Sequence, residues 1–310
     1  AFAGRSVDCG ADAFLARVPE AIDLCRELGL ETILTSPAQK SAYVWVNRGL
    51  HRLPAGLVLG VPTDLDALAA SGIVSAHGIA RAAQDLTRTE WIDSANGADP
   101  NGDDDQSVGQ LIRARLGDEV HEKLVSPLLS GVNAGDADHL SLAAGAAQIA
   151  VAARRSPSLI TALRDQLASA KTDPELPVFR GIPVGTQTLT DLLLARITQV
   201  DIPVHLSCPV SAITRDGSGW TLATPLGAIA ADEIILATPA RPTARLLSSI
   251  APEPAADLAN LDYASAAMVT LAVSKNSLGV PLDASGFLVA QTDPLPTLTA
   301  CSWASAKWSH

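Results

Sequence analysis

A chain of 310 residues, 47% of them hydrophobic, has length for about two domains and a large buried core. Its 33 acidic against 22 basic side chains leave a formal net charge of -11, which disfavours nucleic acid or an anionic membrane as the main partner. Four widely spaced cysteines, Cys9, Cys25, Cys208 and Cys301, form no CxxC pair, so neither a zinc site nor a disulfide framework is indicated and a reduced, cytoplasmic compartment fits.

Taken in order, Val7 and Cys9 read as a short strand, Gly10 to Asp12 as a turn, and Phe14 to Leu30 as an amphipathic helix with Gly29 at its C-cap. Tyr43 to Val46 and Leu50 to Leu53 read as two strands about the turn Asn47-Arg48-Gly49. From Asp64 to about Leu167 the periodicity turns helical. Asp105 and Ser107 can cap a helix carrying Val108, Leu111, Ile112 and Leu116; Asp118 caps a second, which Pro127 ends or kinks. Ala95 to Asp105 is polar and reads as a loop, and its aspartates lack the glycine and distal glutamate of an EF-hand. The nearest approach to a membrane span, Leu140 to Ala153, falls short of the roughly 18 to 20 apolar residues required.

A strand-loop-helix follows over Val178 to Ile182 and Leu189 to Ile197. The segment Val204 to Ala240 is the most informative. Val204, Leu206, Val210 and Ile213 alternate as half-buried strand positions, Asp216, Gly217 and Gly219 supply a turn, and Trp220 and Leu222 return as a hairpin. Ile234 to Ala237, apolar on both faces, reads as a strand inside a parallel sheet, ending at Thr238-Pro239 on the carboxyl edge where such sheets bind ligands. Beyond it come a helix over Ala244 to Ile250, a Pro-rich step at Pro252 and Pro254, and strands at Ala267 to Val273, Gly286 to Val289 and Leu298 to Trp303.

Catalytic motifs are conspicuous by omission. His121-Glu122 begins like HExxH, but position 125 is valine, and His121 reads as a helix-surface residue. GxSxG, GxxxxGK and GxGxxG do not occur, and the remaining histidines show no ligand spacing, so no catalytic residue and no metal ligand is assigned.

Five segments in the same order, VDCGADAF, YVWVNRGLHRLP with GLVLGVPT, DDQSVGQLIRARLGDEVHEKLVSPLLSGVNAGDADHLSL, FRGIPVGTQTLTDLL and TACSWASAKWSH, resemble the protoporphyrinogen and coproporphyrinogen III oxidases. These are FAD-dependent, amine-oxidase-like flavoproteins, and the likeness is to their Gram-positive type. The resemblance implies a mixed α/β chain in three parts. Residues 1–38 and 175–245 would form an incomplete Rossmann-like FAD-binding domain, 39–62 and 246–310 a substrate domain with a mixed sheet, and 63–174 a helical insertion. It places FAD contacts on Gly10, Ala11, Asp12 and Ala13 and, on the adenine side, on Val210. Substrate contacts fall on Ser285, Gly286 and Leu288, with Ile160 from the helices and Lys40 as a partner for propionates. The implied reaction is oxidation of a porphyrinogen, with oxygen as acceptor and FAD doing the hard chemistry. Without the fingerprint glycines, and opening on Ala1, the sequence reads as part of a longer protein. An amine oxidase or a carotenoid desaturase is an alternative, although 4% aromatic content makes an amine-binding cage hard to build. Another is a porphyrin-holding scaffold without activity. Homodimerisation and a peripheral membrane contact are left open.

Overall fold

A computed structural model describes residues 7–16, 18–90, 106–169, 177–217, 219–279, 281–292 and 298–309. The chain divides into a larger unit, residues 1–189 with 266–310, and a smaller one, residues 190–265.

In the larger unit, Phe14–Leu15 (β1) precedes the helix Pro19–Glu27 (α1), whose entry is set by a proline in its first turn. The strands Tyr43–Val46 (β2) and Gly49–Arg52 (β3) form a hairpin. Asn47 and Arg48 turn it with φ of 54° and 61°, the left-handed pair that a two-residue hairpin loop requires. Alternation then puts Val44 and Val46 in the core and leaves Tyr43 and Trp45 half-buried on the other face. Two short strands, Leu57–Val58 (β4) and Val61–Pro62 (β5), complete this region.

The helices Leu65–Ser71 (α2), Ala76–Ala83 (α3) and Val108–Leu116 (α4) begin where the sequence offers caps. Asp64 accepts two amides of α2, and Ser107 with Gln110 closes a capping box on α4. Pro127 neither ends nor simply kinks the next helix. Residues His121–Val125 widen into a π turn before Ser126–Asn133 (α5). Proline brings no N–H, so the Glu122 carbonyl is free to accept the Gln291 amide at 3.3 Å. Ala147–Arg155 (α6) and Leu159–Ser169 (α7) follow.

His121 is not a surface residue. It is fully buried 3.1 Å from Asp138, a carboxylate that Arg113 grips with two hydrogen bonds at 3.3 and 3.1 Å. Burial, outweighing the pull of Asp138, pushes the imidazole down and keeps it neutral. The mis-assignment arose because Asp138 reaches it from another loop.

Glu119 joins α3 to the segment after α4. Its carboxylate accepts the Ser75 amide at 3.0 Å, the Ser75 hydroxyl and the Lys123 ammonium at 2.8 Å. Partial burial alone would raise this carboxyl, but the Lys123 and Ser75 bonds outweigh it and lower it from 4.5 to about 2. A depressed carboxyl contributes stability that is present above its unfolded pKa and lost as pH falls through the folded one. Unfolding free energy should therefore drop between pH 4.5 and about 2. Glu119→Gln should remove on the order of 2 kcal/mol of that acid limb in urea titrations across the range.

Phe179–Arg180 (β6) and Gln187–Gln199 (α8) lead to the smaller unit. There Ala212–Asp216 (β7), Gly219–Thr224 (β8) and Gly227–Ala231 (β9) form an antiparallel meander with a turn at Gly217, as the sequence predicted. Ala240–Leu247 (α9) packs on Pro252–Asn260 (α10). The proline step is thus a helix start, because a first-turn N–H is dispensable.

The buried parallel strand expected at Ile234 to Ala237 is absent. These residues belong to no strand, and Ile235 is 94% exposed. The expected strands at Val204 to Val210 and Ala267 to Val273 are also missing, with Leu206 79% and Leu271 78% exposed. An apolar run becomes a buried strand only when neighbours hydrogen-bond both its edges, and no described strand pairs with these. Val7 and Cys9 are likewise outside any strand. The loop at Ala95 to Asp105 lies outside the described residues.

Back in the larger unit, Gly286–Val289 (β10) pairs parallel with β2 and antiparallel with Ala300–Ser302 (β11), which leads into Ala304–Lys307 (α11). The order β11-β10-β2-β3 is the mixed sheet expected for this part. Val44, Val46, Val58 and Val61 share one core with Leu111, Ile112, Leu124, Ile149 and Leu163, so the helices cover one face of that sheet. Among the described residues no helix is long and apolar enough to cross a membrane.

Candidate active site

The turn at residues 8–13 is built from behind. Pairing of Phe14 with Arg180 and of Leu15 with Phe179 brings it against the loop after β6. Asp8 Oδ2 accepts the Thr186 amide at 3.1 Å, and the Thr186 hydroxyl donates to the Ala11 carbonyl at 2.9 Å. Gly181 and Thr35 exchange backbone hydrogen bonds at 2.9 Å alongside. Held there, the turn leaves Gly10 and Ala11 exposed, and a Cβ built on Gly10 would meet nothing within 4 Å. Bare main chain facing open space suits close approach of a cofactor. Asp12 differs, because its carboxylate is taken up by Lys307 at 2.7 Å and by the Trp308 indole at 2.9 Å.

Lys40 is exposed on a short strap whose backbone is fixed on both sides. Ala38 N–H donates to the Lys307 carbonyl at 2.7 Å, and Ser285 takes the rest: its hydroxyl donates to Gln39 O and its amide to Ser41 O, both at 2.9 Å. The strap therefore lies beside the start of β10. Gly286 follows with φ of 148°, and a Cβ there would stand 2.1 Å from the Cys301 carbonyl oxygen. Only glycine lets β11 approach so closely. Register with Val44 turns Leu288 toward the helical core, where its Cδ2 lies 2.9 Å from the position of a Cβ on Gly131.

On the opposite face Arg52 donates to Tyr43 at 2.8 Å, Ser41 at 2.5 Å and Asp283 at 2.6 Å, and Tyr43 donates to Asp283 at 2.9 Å. Partial burial, then the bond to Asp283, pushes the Tyr43 phenol up against the pull of Arg52. The Trp303 ring lies 6.0 Å from Tyr43 and 6.1 Å from Phe287.

Of the predicted positions, Asp12, the strap bearing Lys40, and Ser285 are linked by hydrogen bonds within the larger unit, whereas Leu288 faces the helical core. Ile160 is fully buried in the helical core, its amide donating to Asp85 at 2.9 Å. Val210 lies in the smaller unit, half-buried just before β7. Gly131, Lys307 and Trp308 were missed. A small residue at helical spacing signals nothing unless its partner is known, and Lys307 is separated from Asp12 by almost the whole chain. Among the described residues no cluster of His, Cys, Asp and Glu is arranged to hold a metal.

The family model for flavin containing amine oxidoreductases matches residues 1–299. The chain is 33% identical over 320 residues to the coproporphyrinogen III oxidase of Bacillus subtilis (strain 168), covering 99% of this chain and 63% of that protein. It is 34% identical over 308 residues to the coproporphyrinogen III oxidase of Mycobacterium leprae (strain TN), covering 98% and 64%. Its fold matches, with a TM-score of 0.75 and 26% identity, a crystal structure from Exiguobacterium sp. 255-15 that carries a provisional protoporphyrinogen oxidase name. That match covers 99% of this chain and 64% of the other. The chain thus spans less than two thirds of the length of these relatives.

Proposed function

The chain belongs to the flavin containing amine oxidoreductase family, and from that premise we propose that the whole protein is an FAD-dependent porphyrinogen oxidase of heme biosynthesis. Coproporphyrinogen III is the preferred candidate substrate, protoporphyrinogen IX the second, and molecular oxygen the acceptor. The supporting observation is a set of hydrogen bonds: Asp12 of the turn, Ala38 of the Lys40 strap and Ser285 are each tied to residues 303–308, in a chain that matches a coproporphyrinogen III oxidase along 99% of its length.

Bound FAD supplies a two-electron acceptor. The chain's part is to hold and orient. The main chain of Gly10 and Ala11 would admit the cofactor, with Ala13 continuing the turn and Asp12 anchoring it from inside. Val210 would meet the adenine side. Ser285, Gly286 and Leu288 would wall the macrocycle, Ile160 would act from within the helical core, and the exposed Lys40 ammonium would pair with substrate carboxylates. Six hydrogens leave the porphyrinogen in three two-electron steps, and three oxygen molecules become three of hydrogen peroxide. No acid-base triad is required of the protein. The division into cofactor (1–38, 175–245), substrate (39–62, 246–310) and helical (63–174) parts, and a cytoplasmic location, belong to the same reading.

The test is an aerobic assay of the whole protein loaded with FAD, supplied with each porphyrinogen in turn. Porphyrin fluorescence should grow fastest with coproporphyrinogen III; no fluorescence above the non-enzymatic rate from either substrate would reject the proposal.

A further inference from the structure

Asp12 turns its side chain inward from the predicted cofactor turn. Its two oxygens receive the Lys307 ammonium and the Trp308 indole N–H at 2.7 and 2.9 Å. These contacts are partly sheltered: Lys307 is 18% and Trp308 8% exposed but the Asp12 carboxylate 36%, so the charge-assisted bonds fall between a buried and a surface pair. The ammonium also sits 5.1 Å from the centre of the Trp308 ring, whose edge would lie 2.6 Å from a Cβ on Gly181.

The same short segment reaches the substrate side. The Lys307 carbonyl accepts Ala38 N–H at 2.7 Å, two residues before Lys40. At its other end Trp303 N–H donates to the Ser285 carbonyl at 2.9 Å, next to Gly286. Residues 303–308 therefore touch the turn, the strap and the strand within six positions.

Resting on the flavin reading of Gly10 to Ala13, we infer that Lys307 is a positioning residue: its side chain fixes the turn that would hold the cofactor, its carbonyl fixes the strap that would face the substrate, and the two are thereby kept at one spacing. Its ammonium is engaged by Asp12, so it holds geometry and contacts no reacting atom.

The experiment compares Lys307→Met, Lys307→Arg and Asp12→Asn with the unaltered whole protein. In Lys307→Met the dissociation constant for FAD, read by quenching of flavin fluorescence, should rise about tenfold, the scale of one charge-assisted hydrogen bond. KM for coproporphyrinogen III should rise with it, while kcat at saturating cofactor and substrate stays within about twofold, because ground-state positioning rather than the chemical step is lost. Lys307→Arg should restore both constants, and Asp12→Asn should resemble Lys307→Met. A role in stability alone would lower the melting temperature and leave both constants unmoved, and that result overturns the inference. Hydrogen exchange provides an arm independent of flavin: Lys307→Met should speed exchange at residues 10–13 and 36–41 together, and a change confined to one segment, or absent from both, also overturns it. Should the unaltered protein bind no FAD, the flavin reading falls, and coupled exchange alone decides whether Lys307 sets the spacing. If Lys307→Met does not fold, Asp12→Asn and Lys307→Arg carry the same comparison.

Discussion

Replacing Asp85 with alanine is expected to cost about 3–5 kcal/mol of folding stability, the range for removing one partner of a buried ion pair. Asp85 and Arg115 are both fully buried, 3.7 Å apart, and none of the three guanidinium nitrogens makes a hydrogen bond among the described residues. The carboxylate does more than balance charge. It accepts the Ile160 amide at 2.9 Å and the Ser158 hydroxyl at 3.1 Å, serving as a cap for α7 supplied from 75 residues away. Burial pushes the Asp85 carboxyl up, against these bonds and Arg115, and pushes the Arg115 guanidinium down. Alanine would strand a buried cation and two donors together. Asparagine keeps an acceptor for the helix start and loses only the charge, so Asp85→Asn should be milder, by about 1–3 kcal/mol of retained hydrogen bonding. Urea unfolding of the three proteins checks the order; a loss below about 1 kcal/mol for the alanine variant, the scale of an ordinary surface change, would show that the pair is not holding the helices.

Gly286→Ala should be nearly as damaging and should act on the site as well as the fold. The methyl group would lie 2.1 Å from the Cys301 carbonyl oxygen, and backbone atoms cannot swing aside as a side chain does. Strain at a positive φ of about 1–3 kcal/mol adds to overpacking of about 1–3 kcal/mol. Strand β11 must move away from β10, and with it the Trp303 amide that holds Ser285. The expected result is a melting temperature several degrees lower, roughly 2–4 °C per kcal/mol for a unit of this size, and a raised KM for the porphyrinogen. Gly10→Ala is the control. Its Cβ enters open space, so stability should hardly change while flavin affinity falls. A Gly286→Ala protein with normal melting and normal KM would mean that the close approach of β11 has no consequence for either.

Local chemistry was legible from the residues alone. The hairpin at Asn47-Arg48, the cap at Ser107 and the hairpin about Gly217 each depend on residues a few positions apart. The strands at Tyr43 to Val46 and Gly286 to Val289 were legible too, while their pairing in a mixed sheet came from the family resemblance. What escaped depends on partners distant in sequence. His121 is buried because Asp138 and Arg113 meet it in space, Asp85 caps a helix beyond it, and Asp12 finds Lys307 across 295 residues. The run at Ile234 to Ala237 failed for the converse reason. Its composition reports a preference for two neighbouring strands, and periodicity carries no record of whether those neighbours stand beside it.

Ile235 at 94% exposure in the smaller unit, and Met268, Val269, Leu271 and Val273 at 57 to 78% in the larger, present water with apolar, extended chain. Such surfaces recruit other chains by pairing and by simple oiliness. This 310-residue stretch by itself should therefore cloud when concentrated and stay clear when dilute, with its net charge of -11 opposing association at low salt.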